Sequence, residues 1–198
     1  MTAKDTPRSQ PARVQELVRR RLDFVLGLAK NSFAGQEAAR IRLGDVKLTG
    51  IELDGEEDTK PTRGAQATVT CHLEVTPSCC NIRGNAHGGF LAWLVDQCSS
   101  LSLLALSGPG ERWVSSGVST NLNVYYISGA PAGTQLAITT SVLQQGRVTG
   151  LLETRITDEA TGKLVCFATH VKQDPVGGAP FPDREKLEAM AHASKSKL

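Results

Sequence analysis

Residues 90–106 run for 17 positions without glycine or proline and carry one acid, Asp96. Phe90, Leu91, Trp93, Leu94, Val95, Cys98, Leu101, Leu103, Leu104 and Leu106 would cover most of the circumference of a helix. The run is longer than an ordinary strand, and a helix apolar all round is a buried one. At this length, with an acid inside, it is too short and too polar for a membrane span. Any fold this chain adopts must therefore wrap other elements around residues 90–106.

A polar, glycine-bearing loop, residues 81–89, feeds straight into the run. Gly88 and Gly89 fall at the helix start, where the first N–H groups lack internal partners and the macrodipole adds positive character. A helix start of this kind holds an anion or a developing oxyanion. His87, just before it, can donate or accept a hydrogen bond. Asp96 is costly to desolvate among Leu94, Val95 and Cys98 unless it has partners or a task. It lies eight residues beyond Gly88, about 12 Å of helical rise. A base must come within about 3 Å of its proton donor, so the two cannot serve one carbonyl within one chain. Two copies with antiparallel central helices would bring Gly88 of one beside Asp96 of the other, giving two equivalent sites.

The rest of the chain alternates. Residues 11–33 space Val14, Leu17, Val18, Leu22, Val25 and Leu26 as an amphipathic helix, with Arg19, Arg20 and Arg21 on its solvated face, where they could also meet a phosphate. Strands are expected at 46–53, 65–75, 114–127, 136–143, 148–157 and 163–172, with a charged hairpin loop containing Pro61 at 54–63. In the third strand, Val118, Leu122, Val124 and Tyr126 share one face, while Ser119, Asn121 and Asn123 share the other. Strands joined by short turns argue for an antiparallel sheet, and one apolar helix wrapped by it makes an α+β domain. With 198 residues the chain suits one domain, expected at 11–174, between a disordered segment at 1–10 and a tail at 175–198 that includes a short helix at 183–192.

Net charge is +2, which gives no electrostatic case for nucleic acid or acidic membranes. There is no N-terminal apolar signal and no membrane span. Five cysteines without a Cys-x-x-Cys pair point to reduced thiols and no metal site. Ser196-Lys197-Leu198 reads as a peroxisomal address recognised by an import receptor, so a peroxisomal location is expected.

His87-Gly88-Gly89, six residues, Asp96, and then Gly117-Val118-Ser119 opening a strand together resemble the hotdog-fold acyl-CoA thioesterases of the thioesterase superfamily member 2 and phenylacetyl-CoA thioesterase type. Leu94-Val95-Asp96 and Ala160-Thr161-Gly162-Lys163-Leu164 add to the likeness, which spans residues 46–172. The resemblance implies a sheet wrapped around the central helix, hydrolysis of acyl-CoA thioesters without a cofactor, and a homodimer or dimer of dimers. It implies that the Gly88 N–H polarises the thioester carbonyl and that Asp96 of the partner subunit serves as general base or nucleophile. Ser119 would orient the water or the acid, Asn81 would help hold water, and His87 would support the loop or the leaving thiolate. Asn85, Ala86 and Trp93 depart from the pattern and bear on acyl preference. Arg83, Arg147 and Lys172 are candidate contacts for the CoA phosphates because cations suit phosphate. The alternatives are a hydratase or dehydratase of the same fold and a non-catalytic acyl-CoA binder.

Overall fold

The apolar run forms α3, Gly88–Ala105, as expected. The computed structural model describes residues 10–56, 58–107, 113 and 116–174. The other α-helices and strands among the described residues are α1 (Gln10–Ala29), α2 (Gly35–Ala38), β1 (Arg42–Asp54), β2 (Asp58–Glu74), β3 (Val118–Tyr126), β4 (Gln135–Gln145), β5 (Thr149–Asp158) and β6 (Leu164–Gln173). The segment expected to be disordered, the tail helix and Ser196-Lys197-Leu198 all lie outside the described residues, except Gln10, which opens α1.

The six strands among the described residues form one sheet in the order β1-β2-β4-β5-β6-β3, and every neighbour is antiparallel. Leu91, Leu94, Val95, Cys98, Leu101 and Leu104 of α3 pack into one core with Val69, Cys71 and Leu73 of β2, Leu136 and Ile138 of β4, Leu152 and Ile156 of β5, and Cys166 and Ala168 of β6. Each leucine so buried contributes roughly 1.5–3 kcal/mol. No helix among the described residues is long and apolar enough to cross a membrane.

Three expectations need correction. First, α3 is not buried all round: Gly89 is exposed, and Ala92, Trp93, Asp96, Gln97 and Ser100 are only half-buried. These positions recur every three to four residues, so they form one open stripe along the helix. Second, most of the expected loop at 54–63 is strand. β2 begins at Asp58 and pairs with β1 through Pro61, opposite Ile51. Its pairing with β4 starts only at Thr68, so Pro61 faces no partner on that side and its missing N–H is tolerated. Third, Arg19 and Arg21 are not on a solvated face. Arg19 Nη1 donates to Gly44 O at 2.6 Å.

Arg21 holds the far end of α3. Its guanidinium donates to the Leu104 and Ser107 carbonyls and pairs with the Asp58 carboxylate. A helix leaves its last carbonyls without internal partners and carries negative character there, so a planar cation with several donors suits the position. Arg21→Met should therefore lower stability by about 1–3 kcal/mol, read as an earlier thermal unfolding midpoint. Arg20→Met, which removes an exposed guanidinium paired with Glu16, should change it little.

Candidate active site

The loop before α3 is fixed by its own backbone. Asn81 Oδ1 accepts from Arg83 N at 2.9 Å and from Asn85 N at 3.4 Å, and Asn81 N donates to Asn85 O at 2.8 Å. Ala86 N donates to Ala130 O and His87 N to Cys79 O, each at 2.8 Å. The loop thus arrives at the helix with little freedom. His87 is the N-cap: its Nδ1 accepts from Gly89 N at 3.0 Å. An accepting Nδ1 places the ring proton on Nε2.

Gly88 is gripped from the other side. Tyr126 Oη donates to Gly88 O at 3.0 Å, and its ring would meet a Cβ at Gly88 at 3.3 Å. Only glycine leaves that approach unforced. The Gly88 N–H makes no hydrogen bond among the described residues. A bare donor at the positive end of an 18-residue helix is a site for partial negative charge.

Asp96 is the second centre, with its side chain 46% exposed. Its Oδ1 accepts from Ser119 Oγ at 2.8 Å. Lys172 Nζ and His170 Nε2 each approach the same Oδ1 to 3.5 Å. Lys172 Nζ also donates to Ser100 Oγ at 3.0 Å and Ser119 Oγ at 3.2 Å. Ser99 Oγ lies 2.7 Å from His170 Nδ1. No described residue bonds Oδ2.

The strands explain this convergence. His170 and Lys172 lie two apart on β6 and point to the same face. Ser119 is paired directly opposite Lys172 across the β3–β6 ladder. The register then skips Thr120, so Asn121 pairs with Val171 and Leu122 with His170. This β-bulge turns Ser119 to the same face as Leu122 and Tyr126. Strict alternation put Ser119 on the opposite face, and the extra residue corrects that. Gly117, at a φ of 69°, takes the left-handed turn that leads the chain into β3.

The predicted residues thus divide. Asn81, His87 and Gly88 assemble around the start of α3, while Ser119 meets Asp96 farther along it. Lys172, expected as a phosphate contact, is 3% exposed and donates to groups around Asp96, so it is not placed for a phosphate at the surface. Arg83 and Arg147 are exposed, and neither side chain takes part in either cluster; Arg83 joins the loop only through its backbone. His170, Tyr126, Ser99 and Ser100 were not anticipated.

Burial lowers the Lys172 pKa from its usual value, and Asp96 opposes the shift. Burial likewise lowers His170 from 6.5 to about 4, helped by the Lys172 charge and opposed by Asp96.

A Thioesterase superfamily model matches residues 83–165. Acyl-coenzyme A thioesterase 13 of Homo sapiens is 37% identical over 108 residues, which is 54% of this chain and 74% of that protein. The Mus musculus counterpart is 33% identical with the same coverage. Zebrafish thioesterase superfamily member 2 superposes with a TM-score of 0.57 at 25% identity, over 84% of this chain and 99% of that one. A hypothetical thioesterase protein from Streptococcus pneumoniae, solved with coenzyme A, shares the fold with a TM-score of 0.55 at 23% identity, over 74% and 93% of the two chains. The chain belongs to the thioesterase superfamily, and its sheet around α3 is the hotdog arrangement.

The pH dependence of stability follows from His170. Its folded pKa lies below the unfolded value, so the folded chain resists taking up this proton. The contribution of the neutral ring is complete above about pH 6.5 and is lost as pH falls toward about 4. Urea midpoints of the wild type should decline across that window. In His170→Asn the decline should be visibly shallower.

Proposed function

We propose that the protein hydrolyses acyl-CoA thioesters to a free acid and CoA, at two equivalent sites shared between the subunits of a homodimer. The observation that carries this reading is the pairing of two unsatisfied groups along one side of α3. These are the bare Gly88 N–H and the open Oδ2 of Asp96. The names of the human and zebrafish relatives support it, and the coenzyme A in the streptococcal structure accords with it.

In this mechanism the thioester carbonyl oxygen takes the Gly88 N–H of one subunit, where the helix dipole stabilises the charge that develops. Asp96 of the other subunit removes a proton from water through Oδ2 as the water oxygen attacks the carbonyl carbon. The tetrahedral intermediate then collapses, the carbon–sulfur bond breaks, and the proton on Asp96 passes to the departing thiolate. Asn81, with its oxygen bonded in the loop, can offer only its Nδ2 protons to the substrate or to water. Phe90 and Trp93, stacked with centroids 5.7 Å apart on the helix, would wall the acyl group. Arg83 and Arg147, both exposed, remain available for the CoA phosphates.

The dimer is part of the proposal. Within one chain the two groups stand about 12 Å apart along the helix, too far for one carbonyl. The open stripe of α3 gives a second copy a surface to cover, and the edge strand β3 adds the exposed Val118, Tyr125 and Tyr126, followed by the exposed Ile127. Dimers could pair further into tetramers. Where Leu198 is the natural carboxyl terminus, Ser196-Lys197-Leu198 would direct the protein to peroxisomes through their import receptor.

Thiol release from short, long and aromatic acyl-CoAs tests the activity. Asp96→Asn should cut turnover by about 10²–10⁴-fold while dimers persist in sedimentation; unchanged turnover, or water addition to an enoyl-CoA without thiol release, would overturn the reading. Mixing the inactive Asp96→Asn and Gly88→Val proteins tests the sharing of sites. Half of randomly assorted dimers would be mixed, each with one intact site, so about a quarter of wild-type activity should return. Sites contained within one chain would return none.

A further inference from the structure

Lys172 is a buried cation that no surface role explains. Its side chain is only 4% exposed, and an ammonium so placed is costly unless every proton finds an acceptor. Its three protons have three acceptors: Asp96 Oδ1 at 3.5 Å, Ser100 Oγ at 3.0 Å and Ser119 Oγ at 3.2 Å. The consequence lies in the two hydroxyls. Ser100 Oγ already donates to the Asp96 backbone carbonyl at 2.8 Å. Ser119 Oγ already donates to Asp96 Oδ1 at 2.8 Å. Because an ammonium can only donate, it holds both hydroxyls as acceptors on its own side and keeps both their protons directed at Asp96.

We propose that Lys172 is a positioning residue that locks Ser119 and Asp96 into a single hydrogen-bonding arrangement, gathering every contact onto Oδ1 and leaving Oδ2 alone to face the attacking water. The proposal rests on the reading of Asp96 as the water-activating acid. The ionisable groups facing Lys172 are Asp96 from α3 and His170 from its own strand; Ser100 and Ser119 complete the shell from α3 and β3. His170, fully buried, brings Nε2 to 3.5 Å from the same Oδ1 without a hydrogen bond.

A lysine that held a CoA phosphate would behave differently from one that holds Asp96. Lys172→Met keeps the length of the stem and removes the charge. Asp96 is exposed enough to be resolvated once its partner is gone, so this variant should fold and dimerise as the wild type does. Hydrolysis should then be compared on an acyl-CoA and on the same acyl group carried by N-acetylcysteamine, which lacks every phosphate. The proposal expects kcat to fall by about 10²-fold or more on both carriers, with KM changed by less than about threefold on either. A KM that rises only for the CoA carrier, or an unchanged kcat, overturns it.

Ser100→Ala removes one acceptor from a half-buried position and keeps the core intact, so the proposal survives or falls even where Lys172→Met does not fold. Its kcat should drop by about three- to tenfold, the effect of losing one hydrogen bond, again without a change in KM; wild-type turnover in this variant also overturns the proposal. Ethylammonium should restore part of the kcat of Lys172→Ala where ethanol does not, and no difference between the two additives counts against the proposal. Asp96→Asn run in parallel separates the two readings. If it retains full thiol release, the hydrolase reading itself fails. If it is inactive while Lys172→Met is not, only the role given to Lys172 fails.

Discussion

A carboxylate carried on an otherwise apolar helix is the constraint that the rest of the molecule answers. The helix must be wrapped to bury its leucines, yet Asp96 cannot be wrapped with them without a large desolvation cost. The fold resolves this by covering α3 with β2, β4, β5 and β6 and leaving one stripe open, with Asp96 on it. At the rim of the covered side the sheet supplies polar groups in place of apolar ones: His170 and Lys172 from β6 and Ser119 from β3. The same stripe carries the helix start, so the arrangement that keeps the acid hydrated also aligns it with the bare Gly88 N–H.

Much of this was legible because it is local. A long apolar run without helix breakers is a helix whatever its surroundings, and period-two alternation marked β4, β5 and β6 nearly to the residue. The cap at His87 and the donors at Gly88 follow from what any helix start lacks. Other features were hidden because they depend on partners far along the chain. Residues 58–63 look like a loop by charge and by Pro61, and only the one-sided pairing of that part of β2 makes them strand. The bulge at Thr120 has no signature in composition, yet it decides which way Ser119 points. β6 is the most misleading element. Phe167 and Val171 are the large apolar residues of its other alternate set, so hydropathy would turn them toward α3. Instead Cys166, Ala168, His170 and Lys172 line the inner face, while Phe167 packs with Tyr125 and lies beneath Arg155. Nothing local to residues 164–173 announces that an acid on α3 awaits the histidine and the lysine.

The two halves of the site also differ in what holds them. The Gly88 half is built from backbone. Its loop is closed by main-chain bonds to 79 and 130, and the side chains that help, Asn81, His87 and Tyr126, all bond to backbone groups. The Asp96 half is built from side chains of three elements, α3, β3 and β6, whose strands meet in one ladder. Backbone donors need little reorganisation as charge develops on an oxygen. A base must change protonation during the cycle, so it benefits from neighbours that can respond, here two hydroxyls and an ammonium. The division matches the chemistry: fixed dipoles for the oxyanion, adjustable groups for the proton.

Electron pairs then bear on which reaction the site favours. Adding water to an enoyl group, like hydrolysis, needs a base with a free lone pair at the substrate. His87 is poorly placed for that role, because its Nδ1 pair already caps α3 through Gly89 and its Nε2 carries the proton. His170 is fully buried, with Nδ1 against Ser99 and Nε2 turned toward Asp96 and away from solvent. Lys172 is a donor to three acceptors. Of the groups gathered around α3, Asp96 Oδ2 alone combines exposure, a free pair and a line to the helix face. One carboxylate base beside one amide donor suffices to add water to a polarised carbonyl and expel a thiolate, which can take back the proton. Hydration of a carbon–carbon double bond also requires an acid to protonate the α-carbon, and among the described residues no second carboxyl group is gathered with Asp96. The acid–base inventory of α3 and its neighbours therefore weighs toward cleavage of the thioester.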